Sequence, residues 1–213
     1  GGGRLPTPEE LNGARSRVGW TRVRYDATEP SVWLQAEGMA LWFDGIACGV
    51  ALDRVEKLLR DRQVRRAIVN LDGRVLAMSD NQPFQVVVSE PGAPARPAVN
   101  LVAKKGAVVT PVAALRALTA GGTRYGSIID PERGTPVEPH GSVTVVTRSA
   151  TRADALSMAL RVMGRERAEQ YALGHPDVGV LWLEQQVNSD LHGWRWNLSA
   201  VASARGSRVK WMN

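Results

Sequence analysis

The chain has 213 residues, enough for one substantial domain with a hydrophobic core, and its 44% apolar content is typical of a globular protein. The formal charge of +6 would suit an anionic membrane surface or an acidic protein, but the arginines are scattered among acidic residues, which argues against a nucleic-acid partner. Apolar runs all fall short of the roughly 18 to 20 residues that a bilayer-crossing helix needs.

Two helices and a hairpin are predicted in the N-terminal part of the chain. Residues 1–6, which open with glycines, are interpreted as a flexible leader, and residues 7–213 as one domain. Thr7 can cap a helix and Pro8 suits its first position. The apolar spacing predicts a helix over residues 7–19, strands over 21–26 and 31–35, and a helix over 51–62.

Strands dominate the rest of the chain. The pair Asp72-Gly73 is typical of a hairpin turn, the Pro-rich residues 90–98 predict a surface loop, and Thr151 with Asp154 is typical of a helix start. The predicted helices cover residues 112–119 and 151–173. The predicted strands cover 66–71, 74–79, 84–89, 99–103, 107–110, 142–147 and a closing meander over 178–185, 194–201 and 207–211. This pattern favours an α+β fold, a single domain of mixed or antiparallel sheet with helices packed on it.

A glycine-bearing turn precedes the predicted helix at residues 51–62. In the stretch FDGIACGVALD, residues 43–53, backbone N–H groups at the helix start could hold a phosphate. Gly45 and Gly49 could equally allow close packing of a strand on a helix, and we favour that interpretation. Trp194 and Trp196 share one face of a predicted strand and could stack on a flavin or a partner, although tryptophans more often serve the core and its rim.

The chain offers carboxylates rather than soft ligands for a metal ion. Its one cysteine, Cys48, excludes an internal disulfide and leaves the redox compartment open. The three histidines lack the spacing of a zinc site. A site for Mg²⁺ remains possible, although each aspartate by itself is more often a cap or turn residue. The candidates are Asp44, Asp53, Asp72, Asp130 and Asp154.

The stretch RYGSIIDPERGTP, residues 124–136, predicts a shaped loop. Asp130 can accept hydrogen bonds or bind a ligand, Pro131 restricts the chain beside it, and Gly134 suits an irregular backbone. Ser127 is a weak choice for acid–base chemistry, because its hydroxyl does not titrate near neutral pH.

Six segments, taken in order, resemble one family, the FAD:protein FMN transferases of the ApbE type. The resemblance covers about residues 5 to 170 and lacks the family's N-terminal portion. The segments are PTPEEL (6–11), DGIACG (44–49), IVNLDGR (68–74), VVTP (108–111), SIIDPERGTP (127–136) and ADALSMAL (153–160).

The resemblance implies an ApbE-like fold and an activity in which FMN moves from FAD, with Mg²⁺, to a threonine of a target protein, releasing AMP. It places the metal on the backbone oxygen of Ala47 and the carboxylate of Asp154, with Met158 at the third ligand position. A thioether is a poor ligand for a hard cation. The residues that it assigns to cofactor binding are Gly45, Ala47, Cys48, Gly49, Asn70, Asp72, Thr110, Asp130 and Gly134.

The chain departs from the family pattern at polar positions. Cys48 stands where the family has lysine, Thr110-Pro111 where it has Ser-Gly, Arg74 where it has aspartate, and Ser127 where it has histidine. No catalytic residue is therefore expected. The glycines and prolines that shape the turns are kept.

This pattern predicts a domain that has lost catalysis and acts as a binding or structural accessory subunit, with a membrane-bound electron-transfer complex as a candidate assembly. No cofactor is then expected. The alternative is an active Mg²⁺-dependent transferase, in which Thr110 or Asp72 replaces a lost ligand and Ser127 orients a water. A third hypothesis is binding of FAD without turnover.

The resemblance also implies an extracytoplasmic, periplasmic and membrane-associated location. The expected partners are proteins, with an anionic membrane surface as a further possibility and no nucleic acid. An unpaired sheet edge is predicted to serve as the docking site, because backbone groups there need partners.

Overall fold

The computed structural model describes residues 4–111, 118–137, 141–186, 188, 190–198, 203–205 and 209–212. The helices in these ranges are α1 (Pro8–Arg15), α2 (Ala47–Asp61), α3 (Ala150–Met163) and α4 (Arg165–Gly174). The strands are β1 (Val23–Asp26), β2 (Ser31–Leu34), β3 (Arg66–Leu71), β4 (Arg74–Ser79), β5 (Phe84–Glu90), β6 (Ala93–Ala103), β7 (Lys105–Val109), β8 (Leu118–Ala120), β9 (Thr123–Tyr125), β10 (Gly141–Thr147), β11 (Gly179–Gln185), β12 (Leu191–Trp196), β13 (Ser203–Arg205) and β14 (Val209–Trp211).

A mixed sheet of seven strands forms the centre of the molecule. Its order is β14-β12-β11-β10-β7-β4-β3, and every neighbouring pair is antiparallel except β12 and β14. Helices α2, α3 and α4 pack on one face, where Leu52, Leu76 and Leu160 are fully buried. A second sheet, β13-β6-β5, packs on the other face around Val75, Val108 and residues of its own. This arrangement confirms the predicted α+β class.

Local sequence signals are confirmed where they act over a few residues. Thr7 accepts a hydrogen bond from the N–H of Glu10, whose side chain accepts one from the N–H of Thr7, so both orphan donors at the start of α1 are satisfied. Asp72 and Gly73 have φ angles of 48° and 83° and join β3 to β4 as a two-residue hairpin. The glycine-turn helix, α2, starts four residues before the predicted bound.

Two predicted elements differ because a single local feature overrides the pattern. The Pro-rich residues 90–98 are not a loop: most of them belong to β6, which pairs with β5 through a register shift after Val88. The predicted helix over 151–173 is two helices, because Gly164 has φ 84° and separates α3 from α4. Ser149, and not Thr151, caps α3 by accepting from the N–H of Arg152.

The C-terminal strands are not a simple meander. β11 and β12 form the predicted antiparallel pair, but β14 lies parallel to β12, while β13 joins the second sheet. The helix predicted over residues 112–119 falls mainly on residues 112–117, which lie outside the described residues, and Leu118 and Thr119 belong to β8. Within the described ranges, no helix is long and apolar enough to cross a membrane.

Most residues of the N-terminal part, residues 4–43, are exposed. The segments before and after the hairpin β1–β2 expose large aromatic side chains, including Trp20 at 79% and Trp42 at 84% of the possible area. Trp33 and Phe43 are also exposed. These aromatic side chains lie outside both hydrophobic clusters of the molecule.

Candidate functional site

The glycine turn leads into α2, as the sequence predicts, but its first N–H groups have protein partners. The N–H of Ala47 donates to the carbonyl of Phe43 at 2.8 Å, and the N–H of Gly49 donates to Oδ2 of Asp154 at 3.0 Å. A Cβ atom on Gly49 would lie 2.5 Å from the carbonyl oxygen of Ala150. Gly49 therefore has the packing role that the sequence favours, because α2 could not approach α3 so closely with a side chain there.

Asp154 forms a buried ion pair with Arg74. Its carboxylate is fully buried, and Nε of Arg74 donates to Oδ1 at 3.0 Å while the N–H of Gly49 occupies Oδ2. The same guanidinium donates to the carbonyl of Asp72 at 3.2 Å and to that of Asp44 at 3.5 Å. One arginine thus connects α3, the β3–β4 turn and the turn before α2.

These residues do not fit a magnesium ion. Both oxygens of Asp154 already accept hydrogen bonds, one of them from a cation. At an effective dielectric constant of about 20, two unit charges 4 Å apart repel by about 4 kcal/mol, and a divalent ion doubles that figure. The side chain of Met158 lies against Gly45, with Cγ 3.4 Å from where a Cβ would be, and offers only a thioether. Across the described residues, no group of three His, Cys, Asp or Glu side chains could hold a metal ion.

A cleft of about 380 Å³ lies between the seven-stranded sheet and β5. Volumes of this size are typical of small-ligand sites. Three residues that the resemblance assigns to cofactor binding, Asn70, Asp72 and Thr110, line it, together with the guanidinium-bearing Arg161. The other assigned residues do not line it: Gly45, Ala47, Cys48 and Gly49 are in the glycine turn, and Asp130 and Gly134 are in the loop after β9.

Residues with hydroxyl side chains line this cleft, among them Ser142 on β10 and Thr110 directly after β7. Oγ1 of Thr110 and Oγ1 of Thr144 are 2.7 Å apart and share a hydrogen bond. Oγ of Ser142 is buried and has no hydrogen-bond partner among the described residues. A buried hydroxyl without a partner is unfavourable in the empty protein, so a ligand atom that bonded to it would gain affinity.

Asp130 accepts hydrogen bonds from backbone groups of its own loop. Its Oδ1 accepts from the N–H groups of Glu132 and Arg133 at 2.8 and 3.2 Å, and its carbonyl accepts from the N–H of Gly134, whose φ is 70°. The N–H groups of Arg133 and Glu132 hold the pKa of Asp130 below its ordinary value. Arg15 of α1 donates to the carbonyl of Glu132 at 2.5 Å, which attaches the N-terminal helix to the loop.

The remaining candidates mostly have structural contacts. Ser127, at the position of the family's histidine, is exposed. His175 stacks on Tyr171 with the ring centres 4.0 Å apart, and His192 lies edge-on to Trp194. Trp196 donates to Glu169, so these tryptophans pack at the rim of the core, while His140 lies outside the described residues.

Asp53 was a candidate metal ligand and instead joins two helices. It accepts from the hydroxyl of Ser149 at 2.7 Å and from the N–H groups of Ala150 and Thr151 at 2.7 and 3.0 Å. Burial is the largest single influence on its pKa and raises it, but the hydrogen bonds from Thr151, Ser149 and Ala150 together outweigh burial and lower the pKa. Its contacts are those of a cap.

Sequence reasoning missed two contributions. It treated Arg74 as a loss of acidic charge, whereas the guanidinium is the partner of Asp154 from 80 residues away. It also did not single out Ser142 or Arg161, both of which line the cleft. The sequence signal for Arg74 is that a charged residue opens a mostly apolar strand, which indicates a counter-charge without saying which residue supplies it.

Comparisons with known proteins agree with the segment order. The FAD:protein FMN transferase of Klebsiella pneumoniae strain 342 is 33% identical over 158 residues, which are 72% of this chain and 49% of that protein. The enzyme of the same name from Treponema pallidum is 28% identical over 197 residues, 84% of this chain and 54% of that protein. The chain therefore spans about half the length of these curated relatives.

A solved structure with the same fold is the ApbE protein of Thermotoga maritima, with a TM-score of 0.77 and 28% identity over 88% of this chain and 62% of that one. The relatives named above are transferases, so the comparisons favour the active alternative over the prediction of a domain without catalysis or cofactor. A family model, the ApbE family, matches residues 1–182. The chain belongs to the ApbE family.

Proposed function

We propose that this chain forms the flavin-binding part of an FAD:protein FMN transferase. The observation that carries the proposal is the cleft beside the β3–β4 turn, which brings Asn70, Asp72 and Thr110 together with the unsatisfied hydroxyl of Ser142. Relatives that share 28–33% identity bear the name of this activity, which supports it further.

The lining of the cleft suits a nucleotide with a diphosphate. Val86, Val88 and Ile128 supply an apolar wall against which a ring system can lie. Arg161 brings a positive charge to the cleft, and a positive charge attracts phosphate oxygens. Its guanidinium also lies over the ring of Trp182, 5.3 Å from the centre, which restricts its position.

In the proposed reaction, a threonine hydroxyl of a target protein attacks the phosphorus of the FMN half of FAD. A new oxygen–phosphorus bond forms, the bond from that phosphorus to the bridging oxygen breaks, and AMP leaves. The hydroxyl proton passes to solvent, since the exposed Ser127 does not titrate near neutral pH. Such phosphoryl transfers depend mainly on positioning and on charge stabilisation.

The test is incubation of the chain with FAD and an acceptor peptide that contains one threonine. We expect an FMN-modified peptide by mass spectrometry and an equal amount of AMP by chromatography. Ser142→Ala separates a ligand-binding role from a structural one: it should leave the empty protein as stable or more stable, while weakening FAD binding. Ser89→Ala is the matched control, because that hydroxyl also lines the cleft but already donates to Pro94 at 2.8 Å.

A second candidate is an accessory domain that binds a protein partner without transferring FMN. The ion pair of Arg74 with Asp154 favours it, since the carboxylate that would bind the metal is occupied. The exposed aromatic side chains of Trp20, Trp33 and Trp42 would suit such a partner. A membrane-associated, extracytoplasmic complex is the proposed setting. No FAD binding, together with no FMN-modified peptide and no AMP, would select this candidate, whereas FAD binding without either product would select the hypothesis of binding without turnover.

A further inference from the structure

The charge at the centre of the predicted metal position is supplied by a side chain. The Arg74 side chain is 10% exposed, and that of Asp154 is fully buried, so neither charge is screened well by water. Buried charges persist in proteins when they are paired and hydrogen-bonded. Here the pairing is complete on the acidic side, because each carboxylate oxygen accepts one hydrogen bond.

Arg74 contacts the segments on which the resemblance places the metal and the phosphates. Its Nε is bound to Asp154 on α3, one terminal nitrogen to the carbonyl of Asp72, and the other to the carbonyl of Asp44 at 3.5 Å. The carboxylate of Asp72 lies 3.7 Å from the guanidinium and is largely exposed. A single guanidinium thus binds oxygen atoms from three chain segments.

We infer that Arg74 is the resident cation of this site and replaces a divalent metal ion. Three oxygens converge on its guanidinium, as oxygens converge on Mg²⁺, but the arginine is covalently held and always charged. The site therefore needs no divalent ion to fold, and ligand binding there does not depend on one. Met158 is consistent with this role, because a thioether beside Gly45 costs nothing where no hard cation binds.

This inference deepens the proposed function at the same site, but it is tested on metal binding with no flavin present. Its failure can therefore be distinguished from a failure of FMN transfer. The inference holds whether the chain is an active, metal-independent transferase or an inactive domain. It fails if the wild-type chain binds a divalent ion through Asp154.

The direct probe is Mn²⁺, whose free ion is counted by its electron paramagnetic resonance signal. We expect wild-type protein to leave the free Mn²⁺ signal unchanged. Arg74→Gln, which removes the charge, should bind one Mn²⁺ with an affinity at least about tenfold above that of the wild-type chain. Asp154→Asn in the Arg74→Gln background should abolish that gain. Arg133→Gln removes an exposed arginine near Asp130 and controls for net charge.

A second measurement keeps the inference falsifiable if Arg74→Gln does not fold. The thermal midpoint of the wild-type chain should be the same in Mg²⁺ and in EDTA at equal ionic strength, and Arg74→Lys, which keeps the charge, should behave likewise. One Mn²⁺ bound per wild-type chain, lost on Asp154→Asn, would overturn the inference. So would a midpoint that rises with Mg²⁺ concentration in wild type but not in Asp154→Asn.

Discussion

Asp154 and Asp130 are aspartates that the ApbE resemblance places in one site, yet they belong to two very different regions. Asp154 is fully buried in the junction of α2, α3 and β4, and its partners come from 80 and 105 residues away. Asp130 lies in the loop of residues 127–136, where its Oδ1 accepts from N–H groups two and three residues ahead. The carboxylate of Asp154 stabilises contacts between distant elements, and that of Asp130 stabilises a single turn.

The contrast shows that a motif can persist for two separate physical reasons. At the junction, removal of one side chain leaves an opposite charge or an unpaired donor inside the protein. In the loop, backbone conformation fixes the shape, and water can replace a lost acceptor. Substitutions should therefore be costly at the junction and mild in the loop.

Asp154→Asn should give the largest effect, because it leaves the buried guanidinium of Arg74 with only the exposed carboxylate of Asp72, 3.7 Å away, as a counter-charge. Breaking a buried ion pair by removing one partner lowers the free energy of unfolding by about 3–5 kcal/mol, and urea titration measures the loss. Asp177→Asn is the control, since it removes an exposed partner from Arg152, also on α3, and should change little. A loss below about 1 kcal/mol for Asp154→Asn would mean that this ion pair contributes no more stability than an exposed one.

Gly49→Ala should be the next most damaging change. The added Cβ would lie 2.5 Å from the carbonyl oxygen of Ala150 and 2.7 Å from Cα of Thr151, so α2 would have to move away from α3. Overpacking of this kind lowers the free energy of unfolding by about 1–3 kcal/mol.

The matched control for Gly49→Ala is Gly13→Ala in α1, where nothing lies within 4 Å of the added Cβ. That change should stabilise the chain, by up to about 1 kcal/mol, because alanine is the better helix former. Equal effects at both glycines would mean that helix propensity, and not the close approach of α2 to α3, decides the result.

Asp53→Asn tests the other link between α2 and α3. It weakens three hydrogen bonds at the start of α3, and the free energy of unfolding should fall by about 1–2 kcal/mol. The effect depends on pH. The folded pKa of Asp53 is lowered, so its contribution is complete above the ordinary aspartate pKa of about 3.9 and is lost as pH falls through the folded value.

Urea titrations from neutral pH down to about pH 3 check this dependence. The gap in stability between wild type and Asp53→Asn should close toward the acid end of the series. Asp61→Asn, which removes an exposed partner of Lys57 on the same helix, should show no such convergence. A gap that stayed constant with pH would assign the loss at Asp53 to geometry and not to charge.

The parts of this fold that sequence predicted are those decided within a few residues. Thr7 and the Asp72-Gly73 turn act through nearest neighbours, and both were confirmed. The pairing of Arg74 with Asp154 joins residues 80 positions apart, and no local pattern records it. The first half of β6, residues 93–98, was missed because pairing with β5 outweighs the prolines in it, while the strand predicted over residues 99–103 is its second half.

Asp130→Asn should be the mildest change of this series. The amide oxygen of asparagine can still accept from Glu132 and Arg133, so the turn should keep its shape and the thermal midpoint should stay close to that of wild type. FAD affinity should also be unchanged, because Asp130 does not line the cleft. Gly134→Ala in the same loop should cost about 1–2 kcal/mol, since φ is 70° there. If Asp130→Asn weakened FAD binding at unchanged stability, this carboxylate would act on the ligand and the contrast with Asp154 would fail.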